Sequence, residues 1–227
     1  MAVVRWTWVV VWLWGAVACT PPAPSQGGTT PSTRGTAEPP PPQAVPPGWT
    51  PVERRARPEP PPVRPVFVDP TTGIGFPPTA GGLRYRGVRR YRSAALGFSV
   101  RYQNSADTWA DVFIYPGFGK KAPEQARSAA MARHFRQVEG DIFSAARQGY
   151  YRQLKKLGSR LLRLDGRELW QGRYTYALRG RPVGSLLYLT GYRGHYVKVR
   201  FTYVQTRRAA ALREARGLLH ALIRQLR

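Results

Sequence analysis

From residue 88 onward, apolar and polar positions alternate in short runs. Val88 to Ser93 and Gly97 to Gln103 read as strands, the second with Phe98, Val100 and Tyr102 on one side and Ser99 and Arg101 on the other. Asn104 to Asp107 supplies a turn into a third strand, Thr108 to Tyr115. The period then changes. Met131, Phe135, Val138 and Ile142 recur every three or four residues, which predicts a long helix opened by Pro123 and ending near Gly149. Alternation resumes over Leu157 to Leu164, Glu168 to Leu178, Val183 to Thr190 and His195 to Val204. Turns are expected at Asp165-Gly166, Arg179 to Pro182 and Tyr192 to Gly194. Thr206 is placed to cap a last helix running to residue 227. The order β-β-β-α-β-β-β-β-α predicts an α+β fold, an antiparallel β-sheet with the long central helix and the C-terminal helix packed on it.

Nothing upstream carries either period. Of the 22 prolines, 19 lie between Thr20 and Gly81, in runs such as PPPPQAVPPG and RPEPPPVRPVF. Such a tract buries too little apolar surface to offset its ordering entropy, so it is expected to be a disordered, Pro-rich tether. At about 3.1 Å per residue it would reach at most ~190 Å. Before it stand a short segment with Arg5 and an uncharged stretch from Trp6 to Ala18, too short for the roughly 20 residues of a membrane-crossing helix. This is the layout of an export signal. Its Ala16-Val17-Ala18 also satisfies the rule for an ordinary cleavable signal peptide. With Cys19 the segment resembles the lipobox of bacterial lipoproteins. That resemblance implies cleavage before Cys19, attachment of acyl chains to its thiol, and, because Thr20 rather than Asp follows, delivery to the outer membrane with the domain facing the periplasm. Expected boundaries are 1–18 for the lipoprotein signal peptide, 19–81 for the lipidated Cys and Pro-rich linker, and 82–227 for a basic α+β domain.

Charge sharpens this picture. The chain is +24 at pH 7, and residues 82–227 alone hold 30 basic residues against eight acidic ones. Arg outnumbers Lys 31 to 5, as a GC-rich genome would also produce, but the excess attracts anionic surfaces whatever its origin. Two places concentrate it. On the last helix, Arg213, Arg216, His220, Arg224 and Arg227 line the side opposite Ala211, Leu212, Ala215, Leu218, Leu219, Leu222, Ile223 and Leu226. Lys120 and Lys121 follow Gly117-Phe118-Gly119 between a strand and a helix, where a weak anion contact is expected, although the loop lacks the spacing of a phosphate-binding P-loop. On the strand from His195 to Val204, Tyr196, Lys198, Arg200 and Thr202 share a face that either meets an acidic polymer or is covered by the long helix.

The single cysteine excludes an intramolecular disulfide and every multi-cysteine zinc pattern. His134, His195 and His220 accompany no nucleophile motif and read as surface residues; the acid pairs Glu139 with Asp141 and Asp165 with Glu168 read as local ion-pair partners. No cofactor, metal or catalytic residue is expected.

The stretches GFSVRY, ADVFIYPG, WQGRYTYALRG and HYVKVRFTY, with a helix between the second and third and a closing helix, resemble the PsbP-like fold over roughly residues 88 to 226. The resemblance implies a non-catalytic accessory or assembly role and carries no functional residue with it. The expected function is therefore that of a lipid-anchored envelope lipoprotein, an accessory or binding protein. Its acyl chains hold the membrane, and its basic domain meets an anionic envelope polymer, anionic lipid or acidic protein. Nucleic acid is not an expected partner. The alternative is an envelope hydrolase with an unrecognised active site.

Overall fold

The computed structural model describes residues 64–105, 107–117 and 121–227. The signal segment, Cys19, most of the Pro-rich tract and Lys120 lie outside the described residues. Among the described residues, ten strands and two α-helices follow in order. They are β1 (Phe67–Val68), β2 (Gly75–Phe76), β3 (Thr79–Ala80), β4 (Leu83–Arg90), β5 (Phe98–Gln103), β6 (Thr108–Pro116), α1 (Ala129–Arg147), β7 (Arg152–Leu164), β8 (Arg167–Leu178), β9 (Arg181–Tyr192), β10 (His195–Val204) and α2 (Arg208–Arg224). Strands β1 and β2 form a small hairpin. The others make one eight-stranded antiparallel sheet in the order β3-β4-β5-β6-β10-β9-β8-β7. This is the α+β architecture expected from the hydrophobic pattern.

Tight hairpins set the register of the last four strands. Asp165-Gly166, Arg179-Gly180 and Arg193-Gly194 each have both φ angles positive, the pair of left-handed residues that matches a two-residue turn to the twist of its strands. Because paired residues share a face, register then fixes what each side of the sheet carries. Val197, Val199, Phe201 and Tyr203 of β10 join the buried cluster that contains Ala211, Ala215, Leu218, Leu219, Leu222 and Ile223 of α2 and Leu226 just after it. Tyr196 of β10, with Phe113, Tyr115, Tyr174, Leu187 and Leu189, joins the cluster that contains Met131, Phe135, Val138 and Ile142 of α1. The two helices therefore cover opposite faces. Among the described residues, no helix is long and apolar enough to cross a membrane.

Four expectations need correction. Residues 67–80, assigned to the linker, belong to the folded unit: Ile74 and Phe76 are buried in the α2-side core, and a turn closes on the Asp69 carboxylate, which accepts from the Thr72 N–H and hydroxyl. The proline content hid these short strands. The first strand of the main run begins at Leu83 rather than Val88 and ends at Arg90. The long helix begins at Ala129, six residues after Pro123, because residues 122–126 are tied to the sheet end. Trp170 donates to the Ala126 carbonyl, the Ala122 N–H to the Gly194 carbonyl, and the Arg193 N–H to Glu124. Ser128 then caps it, accepting from the Met131 N–H at 3.2 Å. Thr206 caps nothing; a 3-10 turn over Gln205–Arg207 leads into α2 instead.

Candidate anion-binding surface

The acids of the folded domain are scarce, and nearly all are engaged within it. Asp107 meets Arg181 at 2.7 Å, Asp111 meets Arg101 at 2.8 Å, Glu168 meets Arg127 at 2.8 Å, Glu214 meets Arg207 at 3.2 Å and Asp165 meets His220 at 2.7 Å. Glu139 is buried and accepts from Lys156, Ser159 and Tyr174. Burial works to raise its pKa, but these three donors outweigh it and hold the carboxyl below the usual range. Glu124 accepts from the Arg193 N–H. With 30 cations in residues 82–227, most of the excess is exposed, Lys198 and Arg200 under α1 being exceptions.

Much of that excess collects on β7, an outer strand of the sheet. Its thirteen residues include Arg152, Lys155, Lys156, Arg160 and Arg163 and no acid, and all five cations are exposed. Lys156 is the one that reaches a carboxylate of its own, Glu139. Arg160 donates to the neutral amide of Gln171, and Glu168, opposite Arg163, is already held by Arg127. The ladder with β8 shifts register near Lys155 and again near Gly158, then runs unbroken from Ser159 to Leu164. The alternation alone predicts a strand start at Leu157, whereas the strand begins at Arg152 and takes in the cationic run RQLKKL with Arg152, Lys155 and Lys156.

On α2, Arg213, Arg216 and Arg224 are exposed as a stripe on the side away from the core, and Arg227, just past the helix end, is exposed as well. Arg216 Nε–H donates to His220 Nε2 at 3.3 Å, and His220 Nδ1 faces Asp165 at 2.7 Å in the β7–β8 turn. This chain of contacts joins the stripe to the end of β7. Lys121 is exposed beside Gly194, at the same end of the sheet. A cavity of about 650 Å³ lies there, lined by Arg127, Arg167, Arg227, Glu124, Asp165 and Glu168 over an apolar wall that includes Ile223 and Leu226. Its three carboxylates are those already held by the Arg193 N–H, His220 and Arg127. Arg167 is fixed by the carbonyls of Gly191 and Leu226.

The open question about β10 is settled in favour of cover by the long helix. Tyr196 is buried and stacks on His134 of α1 at 3.8 Å between ring centroids. His134, expected at the surface, is buried there, with Tyr115 Oη 2.9 Å from its Nε2. Burial lowers its pKa to about 4. The Lys198 ammonium lies 4.3 Å from the centre of the Phe113 ring, and burial lowers its pKa to about 8 despite the attraction of Asp141. Arg200 stacks over Tyr174 and Tyr151, 5.3 and 5.8 Å from their centroids, and its Nη2 has no hydrogen-bond partner. The signal for a covered face was the four-residue repeat of α1 itself. Of the other histidines, His195 is half-exposed beside the Arg193 carbonyl.

No protein-family model matches the chain, and no curated protein does. Among solved structures, the chain is similar to the solution structure of cyanobacterial PsbP (CyanoP) from Synechocystis sp. PCC 6803, at 15% identity over 66% of this chain and 88% of that one, with a TM-score of 0.44. It is also similar to the crystal structure of PA94, a protein of unknown function from Pseudomonas aeruginosa, at 12% identity over 64% of this chain and 88% of that one, with a TM-score of 0.33.

Proposed function

We propose that the chain is a lipid-anchored envelope lipoprotein, a non-catalytic accessory protein whose basic domain holds an anionic partner. Acyl chains on Cys19 supply the anchor, in the outer membrane and facing the periplasm. The observation that carries the binding half is the engagement of the domain's acids within the fold, which leaves exposed cations on β7, α2 and the sheet end to be neutralised from outside. A partner rich in carboxylate or phosphate releases counterions from both surfaces on contact, so binding should weaken steeply with salt.

Two measurements test this reading. Replacing Cys19 with Ser should move the protein from membrane to soluble fraction and abolish acyl labelling; membrane retention in high salt without acyl label would sink the anchor. The Cys19→Ser chain should bind polyglutamate and phosphatidylglycerol vesicles at low salt and release them as salt rises. Absence of binding to both would remove the anionic partner.

A further inference from the structure

Strand β7 carries more structure than a generic cationic surface needs. Outer strands present unpaired N–H and C=O groups, and charged side chains are one way to keep a second copy away. Between Ser159 and Leu164, however, the ladder is regular and the side chains alternate in a readable way. Leu161 is paired with Trp170, which stacks on Phe135 of α1, so Leu161 and Arg163 belong to the α1 side. Arg160 bonds to Gln171, which bonds to Tyr188 of the α2-side core, and Leu162 and Leu164 pack on that same core, so these three belong to the α2 side. Along the edge the order is therefore Arg160, Leu161, Leu162, Arg163: a cation on each face with a half-buried leucine on each face between them.

We infer that this edge is a docking site for an extended acidic polypeptide segment, which adds to the sheet as a further strand beyond β7. The inference rests on the anionic-partner reading and names the partner's class. Backbone hydrogen bonds would supply the attachment, and side chains would set the choice. An incoming strand places its residues beside those of β7, so carboxylates belong opposite Arg160 and Arg163 and apolar residues opposite Leu161 and Leu162. The preferred segment reads acid, apolar, apolar, acid. That pattern is the same in both directions and fits either strand orientation. Lys155 and Arg152, on the same face as Arg160 by register, continue the attraction beyond the regular stretch. A folded polyanion or a lipid surface has no free strand edge to offer and would ignore the spacing.

The test uses the full Cys19→Ser chain and a labelled octapeptide, Thr-Thr-Glu-Val-Val-Glu-Thr-Thr. Binding should slow amide hydrogen exchange across residues 159–164 at least tenfold. Methylating alternate peptide nitrogens preserves charge and removes strand pairing, and it should weaken binding at least tenfold. The pair Arg160→Glu and Arg163→Glu, both exposed in the native fold, should do the same and should favour the peptide with Lys in place of Glu. Equal binding of the methylated peptide, or binding without protection of residues 159–164, overturns the inference. Failure of the octapeptide while phosphatidylglycerol vesicles still bind overturns it and leaves the anionic-partner reading standing; failure of both removes the two together.

Discussion

The two faces of the sheet are built on different principles. On the α2 side, the shared core runs from Ile74 and Phe76 through Val100, Val112 and Phe201 to Leu218 and Leu226, and the buried polar side chains of the sheet on that face, Thr108, Gln171 and Thr190, are uncharged. On the α1 side, a smaller apolar cluster is interrupted by Asp111, His134, Glu139, Lys198 and Arg200, each at least half-buried. Apolar burial needs no partner and tolerates changes of solvent composition. A buried charge is held only while its specific partners and its protonation state persist. The α2 side should therefore set the magnitude of stability and the α1 side its dependence on conditions.

The largest expected effect lies on the α2 side. Leu218 is almost wholly buried, and truncating it to Ala removes its contacts with no polar group left to hydrate; the loss should be about 3–4 kcal/mol. For a domain of this size that is roughly a 10 °C fall in thermal midpoint. Gly81→Ala should be at least as damaging. Its φ is +58°, and a methyl group there would overlap the Glu214 carbonyl where α2 crosses the β3–β4 turn. If either variant melts within a degree or two of the parent, α2 is not the main support of the sheet.

Next comes Glu139→Gln on the α1 side. It leaves Lys156 without its carboxylate and changes what Ser159 and Tyr174 can donate to. Lys156 is partly solvated, so the cost should be about 1–2 kcal/mol, below that of a fully enclosed pair. Adding Lys156→Met should recover part of it. A double variant no better than the single would mean that the tyrosine and serine bonds, and not the ion pair, carry the loss.

The third test is pH. Lys198 has a pKa of about 8 in the fold against 10.5 for a free side chain, so the unfolded chain binds more protons between those values. Its penalty is therefore complete below pH 8 and is relieved as pH rises to 10.5, by no more than about 3 kcal/mol. Lys198→Met should be more stable than the parent at pH 7, and the difference should shrink between pH 8 and 10.5. At the acid end the sign is similar. His134, lowered to about 4 by burial, destabilises the fold progressively as pH falls from 6.5 toward 4. Denaturant midpoints of parent and Lys198→Met across this range check the claim, and a constant difference would contradict it.

The same contrast explains what the sequence disclosed. The succession of the seven longer strands and both helices along the chain, and the α2 core, were legible because apolar periodicity encodes them directly, as Leu218, Leu222 and Ile223 illustrate. The polar layer was not. Glu139 and His134 sit in a helix beside arginines and glutamine, so composition marks that stretch as solvated; only the fold brings Tyr174, Lys156 and Tyr196 against them. Proline content likewise hid Phe67–Ala80, where two- and three-residue runs such as Ile74-Gly75-Phe76 pack deeply without establishing a period. Of the candidate contact residues, Arg213, Arg216, Arg224, Arg227 and Lys121 are exposed in the described structure, but β7, the densest cationic element, was truncated by the misplaced strand start.

The smallest effect on stability should come from the α2 stripe, and for that reason it isolates surface charge from fold. Arg213, Arg224 and Arg227 are exposed, and Arg216, also exposed, reaches His220 Nε2 and no carboxylate among the described residues. Changing all four to Gln should alter stability by about 0.5 kcal/mol or less for each substitution, since no buried group loses a partner. Binding is another matter. Each cation close to an anionic surface adds about 1 kcal/mol at moderate salt, so four together separate strong from negligible attachment. The α2 stripe and β7 meet at the Asp165 turn through His220, and a partner long enough to follow one reaches the other. The quadruple variant should therefore keep octapeptide binding at β7 while losing affinity for phosphatidylglycerol vesicles and showing a shallower salt dependence. If vesicle binding and its salt dependence are unchanged, the stripe is a solvated face of the helix, and attraction to membranes belongs to β7 and the sheet end alone.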